Sequence, residues 1–111
     1  MKTAPESIYL VLTNVPDHDV AIRIAERLLE NKLAACVNVL PPILSVYHWK
    51  GKTERASELQ LQIKTTAAAY PALEQCIRSL HPYELPEIIA IPLVQGFPAY
   101  LEWVQQETGH Q

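Results

Sequence analysis

Glycine is scarce, with three residues in the whole chain. A loop that cradles phosphate with successive backbone N–H groups needs several, so a P-loop or dinucleotide fingerprint is excluded, and the chain also lacks a nucleophile elbow and an HExxH zinc helix. Cysteine is scarce too, with one residue at position 36 and one at 76. These form no CxxC pair, which removes a zinc ribbon, a thioredoxin-like centre and a thiolate metal carrier. Both are expected to be buried, reduced and not bonded to each other. Basic residues do not accumulate: nine Lys and Arg against twelve Asp and Glu leave a formal charge of −3, without the stripe that nucleic acid requires. No apolar run approaches the ~20 residues of a membrane span, and the first residues show no cleavable signal. A cytoplasmic protein with neither nucleic acid nor membrane as partner is therefore expected. Without linker, repeat or low-complexity tract, residues 1–111 are expected to form one domain with its own core.

What is present is dominated by residues 43–66. From Ser57 onward the chain alternates strictly, with Ser57, Leu59, Leu61, Ile63 and Thr65 on one side and Glu58, Gln60, Gln62 and Lys64 on the other. Period two with one apolar side marks a half-buried strand. Ile43, Val46, Tyr47 and Trp49 suit a pleated surface, and Gly51 supplies the positive φ that a tight reversal needs. The stretch is predicted to be a long β-hairpin. At about 3.3 Å per residue its arms reach further than a domain of this size needs internally, and the surplus points to another subunit.

The other elements fall in order around it. Residues 8–13 are a short apolar strand, and Asp17 is placed to cap a helix over 19–32, where Val20, Ile24 and Leu28 run beside Ala21, Ala25 and Leu29. Residues 34–40 form a strand that meets Pro41-Pro42, which forces a bulge, a bend or an edge. A second helix is predicted over 66–80, within which Tyr70-Pro71 fits a helix start. Two prolines in HPYELPEI, residues 81–88, make a stiff extended loop. A strand over 88–94 and a short helix over 99–107 complete the chain. The βαββαβ order predicts an α+β, ferredoxin-like fold: a four-stranded antiparallel sheet with two helices on one face, a long hairpin and an extra C-terminal helix. The second sheet face then needs a cover, from the hairpin, the last helix or a neighbouring subunit.

Chemistry-bearing residues concentrate in the proline loop. His81 is either a packing residue at a helix end or a metal ligand, and Glu84 and Glu87 are either solvated or donors to a hard cation. Lys64 is either a cross-strand partner or a seat for an anion. Trp49 and Trp103 suit contact patches, while His18, His48 and His110 form no constellation. A phosphatase of this fold would want a cation after the first strand, and Asn14-Val15-Pro16-Asp17 holds none. No enzyme activity is expected.

The segments LAACVNVLPPILSVYHWKGK (33–52), ELQLQIKT (58–65), HPYELPEI (81–88) and YLEWV (100–104) together resemble the CutA family, named for divalent-cation tolerance, along essentially the whole chain. The resemblance implies an intertwined homotrimer like that of the PII signalling proteins, a role in the response to metal ions, and binding of copper or another divalent metal with no required cofactor. In members credited with a copper site, a Cys ends the first strand and a His pair precedes Pro-Tyr. Here Thr13 and Leu80-His81 stand there, so metal binding is expected to be weak, with His81, Glu84 and Glu87 as its donors. The alternative implied by PII likeness is a regulator that holds a small anionic ligand between subunits, with Lys64 and Tyr83 at the site.

Overall fold

The computed structural model describes residues 7–109; residues 1–6, His110 and Gln111 lie outside it. The elements are β1 (Ile8–Val15), α1 (His18–Glu30), β2 (Cys36–Val39), β3 (Ile43–Trp49), β4 (Lys52–Thr66), α2 (Tyr70–Leu80), β5 (Ile88–Pro92) and α3 (Pro98–Glu107). They make an α+β chain with a five-stranded antiparallel sheet, in which β2, β4, β1 and β5 lie side by side in that order and β3 pairs with the outer half of β4.

Local chemistry fixes the helix starts. Asp17 is extended, and its Oδ1 accepts from the Val20 N–H at 2.9 Å, satisfying one of the orphan donors of the first turn of α1. Pro71 and Pro98 sit in the first turns of α2 and α3, where a missing N–H costs nothing. The buried stripe of α1 is Val20, Ala21, Ile24, Ala25 and Leu28. It meets Leu73 and Ile77 of α2 and the odd-numbered residues of the sheet, Val11 and Val15 from β1 and Leu61 and Ile63 from β4. Both helices thus cover one sheet face and build one core.

Thr13 belongs to that inner row and is fully buried, yet its hydroxyl has no hydrogen-bond partner among the described residues. A buried unpaired hydroxyl carries its desolvation penalty uncompensated. Thr13→Val, which keeps the shape, is therefore expected to stabilise the fold by about 1 kcal/mol, read as a higher urea midpoint at unchanged slope.

The second face carries the even-numbered residues and is covered only at one end. There α3 touches β1 and β4, Val104 is fully buried, and the facing pair Ile8 and Thr66 is nearly so. Beyond it lie Leu10 and Leu12 of β1 beside Ile91 and Ile89 of β5; Ile89 and Ile91 are exposed. The strands β2 and β3 along one edge of the sheet and β5 along the other each have one strand partner among the described residues. The hairpin runs past the helices, so the molecule measures 55 × 26 × 23 Å.

Two details of the hairpin differ from expectation. Its turn has Lys50 as well as Gly51 at positive φ, 51° and 82°, which is the two-residue I′ geometry that matches strand twist. The inner arm is broken at the prolines. Val39 faces Leu61 and Ile43 faces Glu58, so residues 40–42 stand opposite residues 59–60. One extra residue is a β-bulge, and it changes which side chains share a face. With the slip, Ile43, Ser45, Tyr47 and Trp49 stand on the side of Glu58; without it, Leu44, Val46 and His48 would.

The cysteines are unbonded but only half-buried. Cys76 packs against the core. Cys36, expected inside, faces the open side beside Lys64, because its register partner belongs to the polar row of β4.

Candidate functional site

The proline loop is anchored at its first residue. His81 ends α2 and is 8% exposed. Its Nε2 lies 2.7 Å from the Asn14 carbonyl, and its Nδ1 lies 3.2 Å from the Tyr83 N–H. A carbonyl only accepts and an N–H only donates, so Nε2 carries the proton and Nδ1 supplies the lone pair. Both ring nitrogens are thereby used within the chain. The tie joins the end of β1, the end of α2 and the loop.

Two residues on, the Tyr83 ring tilts against His81 at 4.7 Å between centres, and its hydroxyl donates to Glu58 Oε2 at 2.8 Å. Burial, then the adjoining Glu58 carboxylate, hold the Tyr83 hydroxyl well above its ordinary range. The same causes act on Tyr70, which donates to Glu74 at 2.9 Å and is pushed up to about 12. Folded chains therefore keep these protons where unfolded chains release them near pH 10. The associated stability is present below pH 10 and is lost as pH rises through about 12 for Tyr70. In a phenolate titration followed by near-ultraviolet absorbance, Tyr70→Phe and Tyr83→Phe should each remove part of the late-ionising signal.

Between the loop and the projecting hairpin runs a cavity of about 930 Å³, open to solvent and bordered by Asn14, Tyr47, Trp49, Glu58, Tyr83 and Glu87, among others. The hairpin supplies the far wall with residues of both its faces, Ser45, Tyr47 and Trp49 together with Val46 and His48.

The expected metal set is not assembled. His81 lends no free lone pair, Glu84 and Glu87 are exposed, and no group of three His, Cys, Asp or Glu placed to hold a metal occurs among the described residues. The expected anion seat is also divided. Lys64 donates to Asn38 Oδ1 and lies 3.9 Å from Cys36 Sγ. Tyr83 is bonded to Glu58, six residues away along β4, which is about 20 Å at strand rise. Within one subunit a small ligand cannot touch both. Glu58 reads in the sequence only as one member of the polar row, because its partner lies 25 residues away. The one local sign was its place in the polar row of β4, nearest the bulge.

A small α+β chain with a five-stranded antiparallel sheet, three helices and a polar cleft beside a proline-stiffened loop is the class these observations define. The chain belongs to the CutA1 divalent ion tolerance protein family, whose sequence profile matches residues 9–107; this is a family of divalent-cation tolerance proteins rather than of known enzymes. It is 45% identical over 100 residues to the divalent-cation tolerance protein CutA of Thermus thermophilus, matching 90% of this chain and 97% of that one. It is 48% identical over 104 residues to Protein CutA of Mus musculus, matching 94% of this chain but 59% of the mouse protein, so it spans little more than half the length of that relative. Among solved structures, CutA1 from Oryza sativa superposes with a TM-score of 0.92 at 37% identity, covering 98% of this chain and all of that one. The Archaeoglobus fulgidus protein, described as a periplasmic divalent cation tolerance protein, superposes with a TM-score of 0.87 at 37% identity, covering 90% and 97%.

Proposed function

We propose that the chain works as a homotrimer of ferredoxin-like subunits, assembled in the PII manner, and serves the response to divalent metal ions, with weak binding of copper or another divalent metal as a secondary trait. The observation that carries this reading is the half-covered sheet: exposed Ile89 and Ile91, three strands (β2, β3 and β5) each paired on one side among the described residues, and a hairpin that takes the molecule to 55 Å. Edges and apolar faces of this kind invite pairing with another chain, and an intertwined assembly buries more than about 2,000 Å². The strand order, with α1 and α2 on one face, supports the ferredoxin-like assignment. A cytoplasmic setting is part of the reading and is supported by two unbonded thiols.

Weak metal binding follows from the donors. With both His81 nitrogens engaged, the accessible oxygens of Glu84 and Glu87 remain, and copper takes almost any N/O site to some extent. His81→Ala is thus expected to leave Cu²⁺ affinity within a few-fold of wild type, and Glu84→Gln with Glu87→Gln to weaken it. Light scattering at micromolar concentration tests the assembly, and a stable folded monomer would refute it. Calorimetry tests the metal, and nanomolar Cu²⁺ affinity would show that other donors exist.

A further inference from the structure

Cys36 and Lys64 stand directly opposite each other on β2 and β4, on the side of the sheet away from α1 and α2. The Cβ atoms of such a pair lie about 4.5–5.5 Å apart, and the Lys64 Nζ comes to 3.9 Å from the Cys36 Sγ. Asn38, two residues along β2, ties the two together. Its Oδ1 accepts from the Lys64 ammonium and, at 3.8 Å, from the Cys36 thiol. The Tyr100 hydroxyl of α3 is held above its ordinary range by burial and then by the charge and hydrogen bond of the same thiol. A thiol, a primary amine, a carboxamide and a phenol from three elements thus meet at one place.

The other thiol shows what is particular here. Cys76 packs against the core from α2, on the far side of the sheet, and burial pushes its thiol up. The cation acting on it is the Arg27 guanidinium, which stays protonated and is no nucleophile, whereas a lysine amine can lose its proton and attack. A thiol oxidised by a hydroperoxide becomes a sulfenic acid, which condenses with a neighbouring thiol or nitrogen. With Cys76 across the sheet, the neighbour of Cys36 within its own chain is the nitrogen of Lys64.

We propose that Cys36 and Lys64 form a reversible cross-link made by oxidation, a sulfur–nitrogen bond between β2 and β4, with a hydroperoxide as the oxidant. With hydrogen peroxide, the sulfur attacks one peroxide oxygen and the O–O bond breaks. The sulfur is oxidised to a sulfenic acid, and the departing hydroxide takes the thiol proton and leaves as water. The Lys64 ammonium releases a proton to solvent, and the amine then attacks the sulfur. The N–S bond forms, the S–OH bond breaks, and the hydroxide leaves as water with one amine proton. The linked pair is short of two hydrogens relative to the thiol and the free amine, and a dithiol restores both by becoming a disulfide. The link removes the Lys64 charge from the uncovered side of the sheet and ties the edge strand β2 to β4. It rests on neither the metal reading nor the number of subunits.

The test exposes the intact native protein to hydrogen peroxide, stops the reaction with catalase, alkylates the remaining thiols in denaturant and maps tryptic peptides by mass spectrometry. A species short of two hydrogens is expected, joining the segments that hold Cys36 and Lys64, uncut after Lys64 and returned to its starting mass by dithiothreitol. Cys76→Ser is expected to retain it, which separates it from a disulfide within the chain. Lys64→Arg keeps the charge but lacks the amine, so dimedone should trap the sulfenic acid at Cys36 at least tenfold more than in wild type. The proposal is overturned if Cys36 does not react in the native protein, or if it passes to sulfinic acid, sulfonic acid or a disulfide without the link. Equal dimedone trapping in wild type and Lys64→Arg would overturn it as well.

Discussion

Replacing Leu12 and Ile89 together with glutamate is expected to leave the chain a monomer in sedimentation velocity. The two residues are register neighbours on β1 and β5 and face away from α1 and α2, so the substitutions spare the core. Each apolar side chain of this size contributes about 1.5–3 kcal/mol when buried, and an unpaired charge forced into the same place costs several more. The pair should therefore weaken self-association by two to four orders of magnitude, on the order of 3–6 kcal/mol. Recovery of assembly in high salt would be slight, because desolvation rather than distant charge repulsion is the cause. A double variant that sediments as wild type would place the subunit contact on another surface.

His81→Ala should cost the fold about 2–4 kcal/mol. The side chain is 8% exposed, and its loss leaves the Asn14 carbonyl and the Tyr83 N–H without the partners they have at 2.7 and 3.2 Å, on top of the void left by the ring. A second readout separates this from ordinary truncation. The Tyr83 amide should exchange with solvent faster, because the loop is anchored through that hydrogen bond. Unchanged exchange at Tyr83 together with an unchanged urea midpoint would mean that the prolines alone hold the loop.

What could be read from the sequence was local. The stripe of α1, the alternation of β4 and the prolines flanking the loop act within a turn or a few residues, and each element appears where its pattern placed it, with ends shifted by a few residues. The second helix begins at Tyr70, and Pro92 closes β5. What escaped depends on distant partners. The engaged ring of His81 needs Asn14, 67 residues earlier. The Glu58–Tyr83 bond needs the loop folded back over the sheet. Cys36 looked internal because its neighbours are apolar, yet register against Lys64 turned it outward. Pro41-Pro42 announced an interruption, but only the pairing shows that one residue is gained there.

That single added residue makes the hairpin a matter of parity. An even or odd count between Val39 and Ile43 decides which half of the outer ribbon shares the face of Glu58, while the strand pairing on either side is indifferent to it. Side chains at positions 41 and 42 are thus freer to vary than their number. Removing one of the two prolines would leave the core strands in phase and turn the outer ribbon over, presenting Leu44, Val46 and His48 on the Glu58 side, where Ile43, Ser45, Tyr47 and Trp49 now stand. A lineage carrying that deletion would keep the scaffold and inherit a different cleft in a single step.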